Sequence, residues 1–328
     1  MYYIENTCTN PGFNLALEQY VFDRLAQKKD FFILWQNESS IIVGKHQNTL
    51  EEINPAYVKE NNIRVVRRLS GGGAVCHDLG NVNFTFIAAH TGGDFDFSSF
   101  CRPVMNALKS LGVEAKISGR NDMTIDGKKF SGNSQYIKGN RVMHHGTILF
   151  DSDLEMVSRA LKVPENKYSS KGFKSVRSRV TNIRPYLTQS MTTGEFMECL
   201  RSFMFETYHL EPYFLTEKDI QEIEKLKREV YDRWDWNFGR SPDCGIQKRR
   251  RVEGVGQIEV YMDVSGGIIQ RIEFYGDYFG NGDSVNLSAL LEGARLREDE
   301  VRDRLRGSNI RDYFSKLSMD EFCSVLLQ

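Results

Sequence analysis

The stretch RRLSGGGAVCHDLGNVNFTF, residues 67–86, sets the terms for reading the whole chain. It grows out of an apolar run over 63–67 and ends in a second one over 82–89, both strand-like in their Val, Ile and Phe content. Between them, Ser70-Gly71-Gly72-Gly73 gives the backbone access to positive φ, so consecutive N–H groups can converge on an anion. Arg67 and Arg68 precede that turn and add positive charge. No G-K-[ST] follows and the glycines are not spaced G-x-G-x-x-G, so neither a P-loop nor a dinucleotide fingerprint is present. The plain alternative is a glycine turn in a hairpin with its arginines in solvent.

Working outward, GRNDMTIDGKKFSGN (119–133) carries Asp126-Gly127, a strong hairpin signal. Lys128 and Lys129 are adjacent on an extended segment and point to opposite faces. One of them therefore faces the interior or a cleft, where beside a glycine cradle it is a counter-charge for phosphate or carboxylate. The competing reading is a solvated hairpin tip. In RVMHHGTILF (141–150), His144 and His145 also face opposite ways, which argues against joint metal ligation. One of them then donates a hydrogen bond at a pocket wall, or packs. The basic segment KGFKSVRSRVTN (171–182) is either solvated surface or a cover over an anionic ligand.

The rest of the chain narrows the class. Its 328 residues correspond to about two domains at roughly 150 residues each. With 43 basic and 44 acidic residues the net charge is −1, so no global field draws the protein to nucleic acid or an anionic membrane. At 40% hydrophobic and 27% charged, the composition is that of a folded globular protein. Apolar runs fall far short of the ~18 residues that a spanning helix needs, and the N-terminus lacks the basic start and apolar core of a secretory signal. The six cysteines (8, 76, 101, 199, 244 and 323) form no C-x-x-C pair and read as reduced thiols of a cytoplasmic protein.

Strands are expected over 31–36, 40–43, 63–67, 82–89, 113–117, 121–126 and 141–150, and helices over 13–27, 98–111 and 153–161. Strands outnumber helices without alternating with them, which favours α+β with a mixed or antiparallel sheet. Thr192 or Thr193, and Thr216 with Asp219, can cap two further helices. WDWNFGRSP (234–242) and the basic run Lys248–Arg251 read as a seam between a catalytic domain (1–245) and a small accessory domain (246–328). The latter is expected as an amphipathic hairpin through Ile258, Val260 and Met262, turning at Gly266-Gly267 and returning through Ile272 and Phe274. Helices near 286–292, 297–306 and 318–327 follow, the last capped by Ser318 and Glu321.

In combination these segments resemble the lipoate–protein ligase family. The matching motifs are FNLALEQ (13–19), RRLSGGGAVCHDLGNVNFTF (67–86), GRNDMTIDGKKFSGNSQ (119–135), HHGTILF (144–150) and KSVRSRVTNI (174–183), with WDWNFG at 234–239. The resemblance runs in order from about residue 10 to about 245. It implies a mixed α+β catalytic domain shared with biotin–protein ligases, and the remainder is similar to the accessory domain of the long-form enzymes. It implies that lipoate and ATP, with Mg²⁺, give lipoyl-AMP and pyrophosphate, after which the lipoyl group passes to a lysine of an acceptor domain. On this resemblance Lys129 is the catalytic lysine. Arg68, Gly73, Ala74, Val75 and Cys76 take the nucleotide contacts. Ser70, Gly71, Gly72, His77, Asn81, Asp122, His145 and Thr147 are further positions of the ATP and lipoyl-AMP pocket, with Asp122 the one protein group expected near Mg²⁺.

The lipoate tail needs an apolar slot, for which Leu15, Leu17, Trp35 and Val75 are the expected walls. The mixed anhydride needs protection from water, and the loop 166–182 is the expected lid. Expected partners are the lipoyl acceptor domains of 2-oxoacid dehydrogenase E2 subunits and the glycine cleavage H protein, with no nucleic acid or membrane, and the chain is expected to be a monomer. The main rival is an ATP-independent lipoyl or octanoyl transferase with a cysteine nucleophile, for which Cys244 in Pro242-Asp243-Cys244-Gly245-Ile246 is the candidate. Biotin ligation lacks its G-R-G-R-x-G motif, and a non-catalytic binding protein would not need the full set of site residues.

Overall fold

The computed structural model describes residues 1–27, 29–90, 92–161, 179–238 and 245–327. An eight-stranded sheet organises the first part of the chain. Its strands are β1 (Tyr2–Glu5), β2 (Phe31–Trp35), β6 (Asn81–Ala89), β7 (Lys116–Ser118), β8 (Asp122–Ile125), β9 (Lys128–Lys138), β10 (Arg141–Leu149) and β11 (Glu211–Tyr213), in the spatial order β11-β1-β2-β6-β10-β9-β8-β7. Only β1 runs parallel to its neighbours, β2 and β11; from β2 onward the pairing is antiparallel. A second, three-stranded sheet holds β3 (Ser40–Val43) between β4 (Arg64–Arg67) and β5 (Val75–His77). The α+β expectation is confirmed.

β2 reads FFILW and every residue is buried, as expected of a strand covered on both faces. Phe32 and Leu34 join one core with Phe84, Phe86, Phe150 and the helices Ser98–Ser110 and Thr193–Tyr208. Phe31, Ile33 and Trp35 face the other way, against the helix Pro11–Tyr20 and against Ile42 and Val66 of the small sheet. β6 shows the consequence for function. Val82, Phe84 and Phe86 enter the first core, so Asn81, Asn83 and Thr85 project together from the opposite face. β10 has the same split: Ile148 sits in the first core, and His145 and Thr147 share the face of Asn83.

The last part of the chain builds its own core. β12 (Ile246–Val252), β13 (Gly256–Ser265) and β14 (Ile268–Gly276) form an antiparallel sheet, and Ile258, Val260, Met262, Ile272 and Phe274 pack on helices Ser284–Leu291, Glu298–Arg304, Ile310–Tyr313 and Met319–Leu327. Of the two expected caps, Thr192 and Thr193, it is Thr192 that caps its helix, in a capping box with Glu195, and the capping boxes expected at Thr216 and Ser318 are formed.

Several expectations are corrected. The helix expected over 13–27 starts at Pro11, capped by Asn10, and changes to a π turn over Val21–Leu25. The strand expected over 113–117 is confined to Lys116–Ser118, because Val113 still closes the preceding helix through its N–H to Leu108 O. β9, eleven residues long, was not among the expected strands; its polar KKFSGNSQ lacks a continuous apolar face. The basic run Lys248–Arg251, at the expected seam, lies in the edge strand β12. Arg249 pairs with Glu259 at 3.0 Å, and Lys248 Nζ donates to Leu326 O at the end of the last helix at 2.9 Å. Within WDWNFGRSP, Trp234–Asn237 is a helical turn and the Trp236 indole donates to Arg67 O at 2.9 Å, while residues 239–242 lie outside the described residues. Cys8, Cys76, Cys101, Cys199 and Cys323 are free thiols.

Candidate active site

The glycine loop is shaped from within by Arg68. Its buried guanidinium donates to Ile42 O (3.0 Å), Gly71 O (2.6 Å) and Gly73 O (2.9 Å), and its Nε to Ser70 Oγ (3.1 Å). Carbonyls drawn inward onto one cation turn the loop's N–H groups outward, where that of Gly72 is taken by Tyr278 O at 3.3 Å. Gly72 sits at φ +87°, a conformation that favours glycine. Burial pulls the Arg68 pKa down to about 10, partly restored by Glu18, so it stays charged at neutral pH. Arg67, one residue earlier, points the other way and is fully buried among the carbonyls of Gly44, Gln47, Trp236 and Asn237 and the hydroxyl of Thr49.

A buried chain of hydrogen bonds runs from Arg68 to a carboxylate. Ser70 Oγ lies 2.6 Å from His145 Nε2, and His145 Nδ1 lies 3.0 Å from Glu18 Oε1. Glu18 also accepts from Thr85 Oγ1 at 2.5 Å, and Thr85 accepts from the Trp35 indole at 2.9 Å. Glu18, in the FNLALEQ motif but not singled out there, is the counter-charge for Arg68 across Ser70 and His145.

Lys129 lines the same cavity. Its Nζ is 2.7 Å from Asp122 Oδ1, both side chains being partly exposed. A register shift between Met123 and Thr124 sets Lys129 opposite Thr124, and Gly132 leaves room for the ammonium to lie across the strand. Lys128, its neighbour, is exposed.

One cavity collects Leu15, Trp35, Arg68, Gly72, Gly73, Ala74, Val75, His77, Lys129, His145 and Thr147 of the residues expected from sequence. Ser70 stands behind that wall through His145, Asn81 behind Asn83 (2.9 Å), and Asp122 behind Lys129. Gly71 lies beneath Tyr278: a Cβ on it would run into the Tyr278 carbonyl oxygen. Two more of the expected residues do not line this cavity with their side chains. Cys76 alternates away from Val75 and His77 into a core with Ile41, Val43 and Ile53, and burial pushes its thiol pKa up. Leu17 is half a helical turn from Leu15 and is core. Sequence reasoning missed Ile42, Asn83, Asn121, Gly132, Asn133, Ser134 and Gly146, which also line the cavity. The alternating Asn81-x-Asn83-x-Thr85 was the available signal for Asn83. Residues 162–178, most of the expected lid, and Cys244 lie outside the described residues. No cysteine lines the cavity among the described residues.

Residues 10–204 match the family model described as the lipoyl protein ligase A/B catalytic domain, and residues 241–326 match the one described as the bacterial lipoate protein ligase C-terminus. The chain belongs to the lipoate–protein ligase family. Among curated relatives, lipoate-protein ligase LplJ of Bacillus subtilis (strain 168) is 44% identical, over 99% of this chain and 100% of that protein. Lipoate–protein ligase 1 of Staphylococcus aureus is 40% identical, over 98% of each. Among solved structures, P. falciparum LipL1 in complex with lipoate superposes with a TM-score of 0.82 at 25% identity, covering 100% of this chain and 99% of that one. A lipoate-protein ligase A bound with ATP gives a TM-score of 0.62 at 27% identity, covering 73% and 99%. Within this ligase, no group of three or more His, Cys, Asp or Glu side chains suited to a metal ion occurs among the described residues. Asp122 alone fits the usual manner of Mg²⁺ binding, in which one or two carboxylates assist the substrate's phosphates. No helix among the described residues is long and apolar enough to cross a membrane.

Proposed function

We propose that the protein activates lipoate with ATP to lipoyl-AMP and then transfers the lipoyl group to a lysine of an acceptor domain. The observation that carries this reading is the placement of the Lys129 ammonium, held by Asp122 at 2.7 Å, on the wall of the cavity that also holds Gly72-Gly73 and the apolar Leu15 and Trp35. The first step brings together two anions. A lipoate carboxylate oxygen attacks the α-phosphorus, the P–O bond to the β-phosphate breaks, and pyrophosphate leaves with the electron pair. Two unit charges 4 Å apart repel by about 4 kcal/mol at an effective dielectric of 20. Lys129 between them, with the loop N–H groups on the other side, offsets that repulsion and stabilises charge as it builds on phosphorus. In the second step an acceptor amine attacks the acyl carbon, AMP departs, and an amide remains.

Mg²⁺ on the phosphates, assisted by Asp122, would neutralise the leaving pyrophosphate. Leu15, Trp35 and Val75 form the slot for the tail, His145 and Thr147 border it, and Arg68 keeps the loop in shape. The division at 245/246 makes residues 246–328 an accessory domain resting on the glycine loop, where Gly72 N donates to Tyr278 O at 3.3 Å. The acceptors on this reading are the lipoyl domains of 2-oxoacid dehydrogenase E2 subunits and the glycine cleavage H protein, modified by a cytoplasmic monomer.

Lys129→Ala tests the assignment. It should abolish lipoyl-AMP formation from ATP and lipoate while changing stability by less than about 1 kcal/mol, because the ion pair it removes is partly solvated. Chromatographic detection of lipoyl-AMP without acceptor is the readout. Wild-type yield from the variant would refute the role of Lys129.

A further inference from the structure

Behind the cavity wall a relay of amides ends on His77. Asn14, in the first helix, has the two hydrogens of its Nδ2 shared among Cys8 O (2.9 Å), Gln36 O (2.8 Å) and Asn37 Oδ1 (2.8 Å). With its oxygen committed to Asn14, Asn37 presents its Nδ2 to His77, 2.9 Å from Nδ1. An amide nitrogen only donates, so Nδ1 must accept, and the proton of the neutral ring sits on Nε2. The ring is neutral because burial drives its pKa down to about 3, with Arg68 and His145, the charged and titratable groups facing it, acting in the same direction. His77 Nε2 is buried and has no hydrogen-bond partner among the described residues.

Asn83 repeats the arrangement. Its Oδ1 accepts from Asn81 at 2.9 Å, which leaves Nδ2 as the remaining group, again without a partner among the described residues. Both side chains line the cavity, and Asn83 pairs across the strands with Trp35 on one side and Thr147 on the other. Two buried donors without acceptors are costly in an empty site and favourable once an acceptor enters.

We infer that Asn37 is a positioning residue that fixes His77 as an Nε2–H donor, and that this donor and the Asn83 amide form a neutral two-donor seat for an oxygen of a substrate anion. That oxygen belongs to the lipoate carboxylate or to a nucleotide phosphate. This deepens the proposed function and rests on it. A neutral seat complements Lys129: it binds the oxygen by direction, adds no charge that would compete for the anion, and does not switch off as pH changes.

Asn37→Asp inverts the relay with almost no change in shape. The variant carboxylate can only accept, so the proton moves to Nδ1, and Nε2 turns a lone pair towards the substrate oxygen. The same carboxylate raises the His77 pKa, so below that pKa the doubly protonated ring regains its Nε2–H. In lipoate-dependent ATP–pyrophosphate exchange, KM for the seated substrate should therefore rise about tenfold at alkaline pH and return towards the wild-type value on acidification. Wild-type KM should lack that dependence. A rise in KM for ATP identifies a phosphate, and a rise in KM for lipoate identifies the carboxylate. Asn83→Asp, which replaces the second donor by an anion, should raise the same KM. ¹⁵N NMR of histidine-labelled wild-type protein, with His77 assigned by His77→Gln, should show Nδ1 bare and Nε2 protonated. That measurement needs no turnover, so it judges the inference even if the wild-type protein shows no exchange and the proposed function fails. A proton on Nδ1 in the wild type, or unchanged KM for both substrates in both variants, overturns the inference.

Discussion

Arg67 and Arg68 show how far apart two neighbouring residues can be in consequence. Both are buried cations that spend their donors on backbone carbonyls, but Arg67 ties the Trp234–Asn237 turn to β4 while Arg68 shapes the glycine loop. The expectation that both charges serve the glycine turn holds only for Arg68, because a sequence shows an arginine pair without the carbonyls that surround each one. Arg68→Ala should leave Glu18 as an uncompensated buried carboxylate and release Gly71 and Gly73. We expect a loss of about 3 kcal/mol in denaturant unfolding together with a markedly higher KM for ATP. Loss of stability with unchanged nucleotide use would mean that loop shape does not matter for binding. For Lys128 and Lys129 the alternation placed one lysine towards a cleft without saying which, and only the family resemblance pointed to Lys129. Glu18 was harder. A lone carboxylate in an apolar helix gives no sign that its partner is a histidine over a hundred residues away.

At the level of elements, period-two alternation was the most informative pattern. It correctly separated His144 from His145 and Lys128 from Lys129, and it would have found Asn83 if applied to β6. Alternation failed for β9, where polar residues occupy both faces because one face lines the cavity. Helix caps were legible because Thr192, Thr216 and Ser318 each need only a partner three residues on. The short helix Thr49–Glu52 was missed, being a single turn held by tertiary contacts. That turn carries Glu52, whose pKa is pushed up to about 7 by burial and by Glu259 of β13 and Asp277 just after β14. A folded-state pKa above the unfolded one means the native state binds the extra proton. Stability is therefore complete below about pH 4.5 and declines as pH rises through about 7. Glu52→Gln should flatten that decline and raise stability above pH 7 by roughly 2 kcal/mol. Urea titrations across this window check it. An unchanged slope would assign the decline to other groups.

At the level of the whole molecule, the glycine loop is the place where the two cores meet. Gly72 N donates to Tyr278 O at 3.3 Å, Gly276 N donates to His46 O at 2.8 Å, and the Arg120 guanidinium lies 4.4 Å over the Phe279 ring. The sequence revealed a second core but not where it rests, because the contact joins glycine backbone atoms and scattered side chains such as Arg120, His46 and Phe97, which share no sequence pattern. Gly71→Ala should force Tyr278 back from the loop and cost about 2 kcal/mol, with faster amide exchange through residues 276–279. Unchanged exchange there would show that the interface yields elsewhere. All of this presupposes that the cavity performs adenylation, and ATP–pyrophosphate exchange without any acceptor protein tests that most directly. The account predicts exchange that requires lipoate and disappears with Lys129→Ala. Folded wild-type protein that supports no exchange with ATP, Mg²⁺ and either lipoate or octanoate would contradict it.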